Sequence, residues 1–209
     1  MSLPRKDNIV IELYGLPGVG KSTLAKRLQS DYGCVIVSHE PKKWRAITLT
    51  FRYPKVVFCW LNIIVKNFWE TKNLSLLTHN ISLLLSSLQK IDDAMSDTSE
   101  SIKIIDEGLI QRFLSYSDVM LSEKEIERVL AVSPIGTYVV LVNDKEPQSN
   151  RYTNSNNVRA KLGQNYLERW QGNQRLFIVA ILNVLTRTNK ARQYATAETS
   201  LDVILKSIK

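Results

Sequence analysis

The sequence predicts an α/β fold: a five-stranded parallel sheet in a three-layer α/β/α arrangement, with a helical insert between strands two and three and a lid after strand four. Three observations carry this expectation. Short β-branched runs alternate with stretches of helical spacing, the order that builds parallel sheets. The runs are apolar almost throughout, as strands covered on both faces require. The first run also leads through a glycine-rich turn, Gly15-Leu16-Pro17-Gly18-Val19-Gly20-Lys21-Ser22-Thr23, directly into a helical pattern.

Taken in order, Asn8 to Tyr14 reads as the first strand and Lys21 to Ser30 as a helix, with Leu24, Ala25 and Leu28 on its apolar side and Gly33 as its stop. Cys34 to Val37 is a second strand, closed by Pro41. Trp44 to Met95 shows no strand-like alternation and divides into two or three helices at Tyr53-Pro54 and near Asn73. Ser101 to Asp106 is a third strand, and Ser122 with Glu125 makes the capping box of a short helix ending near Ser133-Pro134. Thr137 to Val142 is a fourth strand. A loop follows, rich in Asn143, Ser149, Asn150, Asn154, Ser155, Asn156 and Asn157, and then a long helix from about Val158 to Leu185 with Gly172 as a point of interruption. Arg192 to Thr196 reads as a fifth strand and Ser200 to Ile208 as a closing helix.

The 209 residues fit one domain, 1–209, whose lid spans about 143–161. With 44% hydrophobic and 23% charged residues, the chain has the composition of a globular protein rather than a disordered or collagen-like one. Cys34 and Cys59 are too few for a disulfide framework and read as buried small hydrophobes in a reducing, cytoplasmic setting. The N-terminus lacks a secretory apolar region, and the most apolar stretch, Val56 to Trp69, is broken by Asn62 and Lys66. It reads as a buried amphipathic helix, and no membrane partner is expected. The net charge of +8 is concentrated between Arg151 and Arg192, where eight basic residues face Glu168 alone. No nucleic-acid signature accompanies them, so a small polyanion such as a nucleotide is the expected partner, and a homodimer is compatible with the sequence.

The glycine-rich turn matches G-x-x-x-x-G-K-[ST], the phosphate-binding P-loop, in its required place between strand and helix. Its backbone N–H groups would cradle a β-phosphate, helped by the positive end of the helix behind it. Lys21 would bridge the β- and γ-phosphates, and Ser22 would offer its hydroxyl to Mg²⁺. Asp106, at the end of the third strand, stands where such proteins hold Mg²⁺ with a carboxylate. A guanine-reading N-K-x-D is missing, since Asn189-Lys190-Ala191-Arg192 lacks the Asp, and Asp106-Glu107-Gly108 is one residue short of a D-x-x-G switch. These absences argue against a GTP switch; ATP and Mg²⁺ are the expected cofactors, although the sequence does not choose between ATP and GTP as the donor.

The phosphate loop, the Asp-ended third strand, the helical insert and the Arg-bearing segment after strand four together resemble the P-loop nucleoside and nucleotide kinases. His39-Glu40-Pro41-Lys42-Lys43-Trp44-Arg45 is similar to the E-P-x-x-W segment of deoxynucleoside kinases, and Glu40-Pro41 also to thymidylate kinases. The resemblance implies that Glu40 is the base near the acceptor hydroxyl, that Trp44, with Arg45, shapes the acceptor pocket, and that Arg151 and Arg159 are lid arginines acting on the transferred phosphoryl group. The chain departs from the family at Asp106-Glu107-Gly108, where an arginine normally follows the acid; Arg112 is the candidate to replace it. The implied activity is transfer of the γ-phosphoryl group of ATP to a nucleoside, nucleotide or related hydroxyl or phosphate acceptor. The alternatives are an NTP-binding regulatory or nucleic-acid-associated protein, and a kinase acting on a sugar or polysaccharide.

Overall fold

The computed structural model describes residues 9–37, 43–99, 101–141, 159, 162–188 and 191–194. The elements run β1 (Val10–Tyr14), α1 (Lys21–Tyr32), β2 (Val35–Ile36), α2 (Lys43–Arg52), α3 (Pro54–Thr71), α4 (Leu74–Ser96), β3 (Lys103–Ile105), α5 (Gln111–Ser115), α6 (Glu123–Val132), β4 (Thr137–Leu141), α7 (Gln164–Arg187) and β5 (Ala191–Tyr194). The sheet is ordered β2-β3-β1-β4-β5 with every pairing parallel. β5 pairs with β4 through its backbone, from Tyr138 opposite Ala191 to Leu141 opposite Tyr194. This is a mixed α/β architecture compatible with a P-loop NTPase fold.

β1 is central and buried at all five positions, which is why its sequence is apolar on both faces apart from Glu12. The pleat sends Ile11 and Leu13 to one face, where they pack with Ile104, Val139 and the α1 residues Leu24, Ala25 and Leu28. Val10 and Tyr14 face the other way, into a larger core with Ile105, Tyr138 and residues of α2 to α7. Among the described residues the two layers are thus unequal: α1 covers one face of the sheet and the insert helices with α5 to α7 cover the other.

The insert comprises three helices. Pro54 opens α3 at its first position, where a missing N–H costs nothing, and Tyr53 is the single residue between α2 and α3. Asn73 caps α4 by accepting a 2.9 Å hydrogen bond from the Leu76 N–H. Trp60 of α3, 1% exposed, fastens the insert to the rest of the protein: its ring lies 4.7 Å from that of Phe113 and 5.6 Å from Tyr116, and Phe113 stacks on Phe177 of α7. Each such ring pair adds about 1 kcal/mol beyond its burial.

Several expectations are corrected. α7 starts at Gln164, after Gly163 (φ 95°), rather than near Val158, and passes through Gly172 without a break, because a glycine lowers helix propensity but leaves the hydrogen-bond ladder intact. α5, unforeseen, is a five-residue turn after β3. The Val56–Trp69 stretch is helical, yet one of its faces is exposed rather than buried. The expected closing helix, and the lid except for Arg159, lie outside the described residues.

Candidate functional site

The parallel sheet puts the carboxyl ends of β1 and β3 side by side. Register pairs Glu12 with Ile105, so Asp106 follows one step beyond the last paired residue, beside the loop that leaves β1. In that loop Gly18 (φ 86°) and Gly20 (φ 97°) hold left-handed backbone that a side chain would disfavour, which is the physical demand behind the glycines of the motif. Gly20 is also the N-cap of α1 and supplies no capping side chain. The positive end of a 12-residue helix therefore opens directly onto the loop.

Lys21 is 8% exposed, and its ammonium donates to the carbonyls of Gly15 (2.9 Å) and Leu16 (3.2 Å). Burial pushes its pKa down, while the carboxylates of Asp106 and Glu107 pull it back up. Ser22 Oγ donates to Asp106 Oδ2 at 2.7 Å, so the two residues expected to serve a metal are in direct contact. The other carboxylate oxygen, Asp106 Oδ1, is buried with no hydrogen-bond partner. A hydroxyl plus a carboxylate with a spare oxygen suits Mg²⁺, which takes one or two protein ligands and completes its shell with water and phosphate. No group of three or more His, Cys, Asp or Glu side chains converges among the described residues.

Behind the loop lies a support that sequence reasoning missed. The Gln111 side chain pairs with Gly15 twice: Nε2 donates to the Gly15 carbonyl (3.1 Å) and Oε1 accepts from its N–H (3.3 Å). The Gly15 carbonyl thus receives both Gln111 and Lys21. Gln111 is fixed in turn by Glu12, fully buried in β1, whose Oε1 accepts from the Gln111 N–H at 3.2 Å. Burial raises the Glu12 carboxyl to about pKa 8 against the pull of the Gln111, Ile110 and Leu109 N–H groups and of Arg112. Gly108 makes room for this carboxyl, because a Cβ at that position would stand 2.5 Å from the Glu12 carboxyl carbon and the buried side chain would have to shift. The signal was present in the sequence as an acid inside an otherwise apolar strand, a pattern that needs a buried partner.

The expected acceptor residues fare unevenly. Glu40 lies outside the described residues, as does Arg151. Trp44 does not shape a pocket among the described residues: it is 85% exposed. Its neighbour Arg45 is drawn toward α4 by ion pairs to Asp92 (2.7 Å) and Asp93 (2.5 Å), and at about 100° per residue Trp44 then points away. Asp92 also takes Arg52 at 2.6 Å, making it a junction the sequence reading did not single out. Arg112 does reach the end of β3. Its Nε donates to Ser87 Oγ (2.8 Å), and its guanidinium meets the Glu107 carbonyl (3.4 Å) and carboxylate (3.8 Å), beside Lys90, which donates to the same carbonyl at 3.2 Å.

Arg159 departs furthest from expectation. Instead of standing over the phosphate loop it is 5% exposed and braces the interior, donating to the Ser115 carbonyl and to Asn80 Oδ1 (3.4 Å). It also lies over the Trp170 ring (4.7 Å) and 3.9 Å from Asp118. A long cation is held this way when aromatic and carbonyl partners replace its water.

Comparison with known proteins adds little to this geometry. No family model and no curated protein matches the chain. Among solved structures, one described as the crystal structure of NadR protein in complex with NR is similar over 95% of this chain, at 12% identity and a TM-score of 0.47. The chain spans about half of that structure, 47% of its length.

Proposed function

We propose that the protein binds ATP with Mg²⁺ on the Gly15–Thr23 loop and transfers the γ-phosphoryl group to a small nucleoside, nucleotide or related acceptor. One observation carries this reading: the Ser22–Asp106 contact beside the buried Lys21 ammonium, at the carboxyl ends of β1 and β3. The loop N–H groups and the α1 terminus would bind the β-phosphate, and Lys21 would draw charge from the oxygens between the β- and γ-phosphorus. Ser22 and Asp106 would hold the metal, which neutralises phosphate charge when bound. As the acceptor oxygen bonds to the γ-phosphorus, the bond from that phosphorus to the bridging oxygen breaks and ADP leaves. Glu40 is the residue proposed to orient the acceptor hydroxyl and receive its proton, and Arg112 with Lys90 would add positive charge near the end of β3.

The test is ATP consumption measured against panels of nucleosides, nucleoside monophosphates and sugars. Lys21→Ala should reduce acceptor-dependent turnover by about a hundredfold or more, and Asp106→Asn should raise the Mg²⁺ concentration needed for half-maximal turnover. If the wild-type chain binds no Mg-ATP, or if Lys21→Ala turns over as fast as wild type, the reading fails.

A further inference from the structure

β1 reaches further along the sheet than β3. Its register with β3 ends at Glu12 opposite Ile105, whereas on the other side it stays paired with β4 as far as Tyr14 opposite Val140. Ile9 turns its carbonyl toward β3, accepting from the Lys103 N–H at 2.9 Å. Alternation along an extended chain gives Ile11, Leu13 and Gly15 the same side. Gly15, the first residue of the phosphate loop, therefore turns its N–H and carbonyl toward β3 beyond the point where that strand stops.

The Gln111 carboxamide fills that place. A primary amide carries a donor and an acceptor on one planar group, as a peptide unit does. Nε2 donates to the Gly15 carbonyl at 3.1 Å and Oε1 accepts from the Gly15 N–H at 3.3 Å, so the side chain stands in for the missing strand residue. These two bonds grip the peptide units on either side of the Gly15 Cα, and glycine is the residue least able to hold a conformation by itself. Gln111 is held in turn, 7% exposed and with its own N–H donated to Glu12. The Gly15 carbonyl also takes the Lys21 ammonium at 2.9 Å, and the Leu16 carbonyl takes it at 3.2 Å. Of the three ammonium protons, two are then committed to the loop and one is left for a phosphate oxygen.

We propose that Gln111 is a positioning residue for nucleotide binding: by fixing the Gly15 carbonyl it sets the Lys21 ammonium where it meets the β- and γ-phosphates. This rests on the Mg-ATP reading of the loop and adds to it a residue that lies outside the G-x-x-x-x-G-K-[ST] motif and almost a hundred positions further along the chain. A side chain that only stapled α5 to β1 would serve stability and nothing else. Coupling to Lys21 separates the two roles, because energies of residues that act through one another do not add.

The test is a double-mutant cycle on Mg-ATP affinity of the full chain, measured by NMR titration, which still reads millimolar binding. Gln111→Met keeps the length of the side chain without the amide, and should weaken Mg-ATP binding about tenfold while preserving the helical circular dichroism. In a Lys21→Ala background the same substitution should change affinity by less than about twofold, since the ammonium it acts through is gone. Should Gln111→Met not fold, Gln111→Asn, whose amide stops one methylene short of Gly15, enters the same cycle. In the wild-type chain the Gly15 amide should exchange slowly before any nucleotide is added, and if neither variant folds this measurement decides alone. Exchange at Gly15 as fast as at the exposed Gly18 overturns the proposal. So does wild-type affinity in Gln111→Met, or an equal loss in both backgrounds, which would leave Gln111 a staple. If Lys21→Ala weakens Mg-ATP binding while Gln111→Met does not, this inference fails and the proposed function stands. A wild-type chain that binds no Mg-ATP overturns both.

Discussion

Glu12 concentrates the cost of the phosphate-loop support in one side chain. Its carboxyl is fully buried, accepts from the Gln111 N–H and leaves Oε2 without a partner, so the neutral form is the one the site tolerates. The unfolded chain releases this proton near pH 4.5, the folded chain near 8. Between those values the native state holds more protons than the unfolded one, so stability falls as pH rises, by up to about 1.4 kcal/mol per unit. Glu12→Gln keeps the shape of the neutral acid without its titration. Urea unfolding at pH 5.5 and pH 8 should show a smaller loss of stability in the variant than in wild type, and equal losses would contradict the assignment. Gly108→Ala should cost about 1–3 kcal/mol by driving a methyl into that carboxyl, and less in a Glu12→Ala background, where the opposing atoms are gone. A cost unchanged by the second substitution would place the strain elsewhere.

At the scale of elements, what was legible in the sequence was whatever is decided by neighbours along the chain. Tyr53-Pro54 marks a helix start because proline suits the first position and no other, and Ser122 with Glu125 closes a capping box with both reciprocal bonds in place. Removing the Ser122 hydroxyl frees the Glu125 N–H and takes one donor from the Glu125 carboxylate, which keeps the Ser122 N–H, so Ser122→Ala should cost about 1 kcal/mol in thermal or urea unfolding. A stability indistinguishable from wild type would show that the hydroxyl adds nothing to the hold of the Ser122 N–H and Lys66 on Glu125. The glycine-rich loop was legible for the same local reason, and with it Lys21, Ser22 and, through the strand pattern, Asp106. What escaped was decided across the fold. Periodicity could not say which side of α3 faces the core, because both sides are apolar. Nor could it say that Arg45 rather than Trp44 turns inward, since that follows from Asp92 and Asp93 almost fifty residues later. Gln111 lay in a stretch where the sequence predicted no element, and only the meeting of β1 and β3 sets it against Gly15.

For the molecule as a whole, the question is how the helices on the crowded side of the sheet are kept in place behind the phosphate loop. Arg159 joins four of its parts: Asn80 of α4, the Ser115 carbonyl at the end of α5, Asp118 in the turn that follows, and Trp170 of α7. Asp118 is held by the same assembly, accepting from the Tyr166 hydroxyl and donating its N–H to Asn67 Oδ1 of α3 at 3.1 Å, so the brace extends into the insert. Burial raises the Asp118 pKa, and the Arg159 charge opposes that rise. Arg159→Met keeps much of the side-chain bulk but strands a buried acid and two carbonyl acceptors, a loss on the order of 3 kcal/mol. A lid arginine would behave in the opposite way, since its removal would slow phosphoryl transfer while leaving the unfolding midpoint alone. The expected outcome is therefore a lowered thermal midpoint with Mg-ATP affinity per folded molecule within about twofold of wild type, a change too small to be a lost charge contact to phosphate. An unchanged midpoint with ATP turnover reduced by orders of magnitude would return Arg159 to the lid and leave the Asp118 junction without its counter-charge.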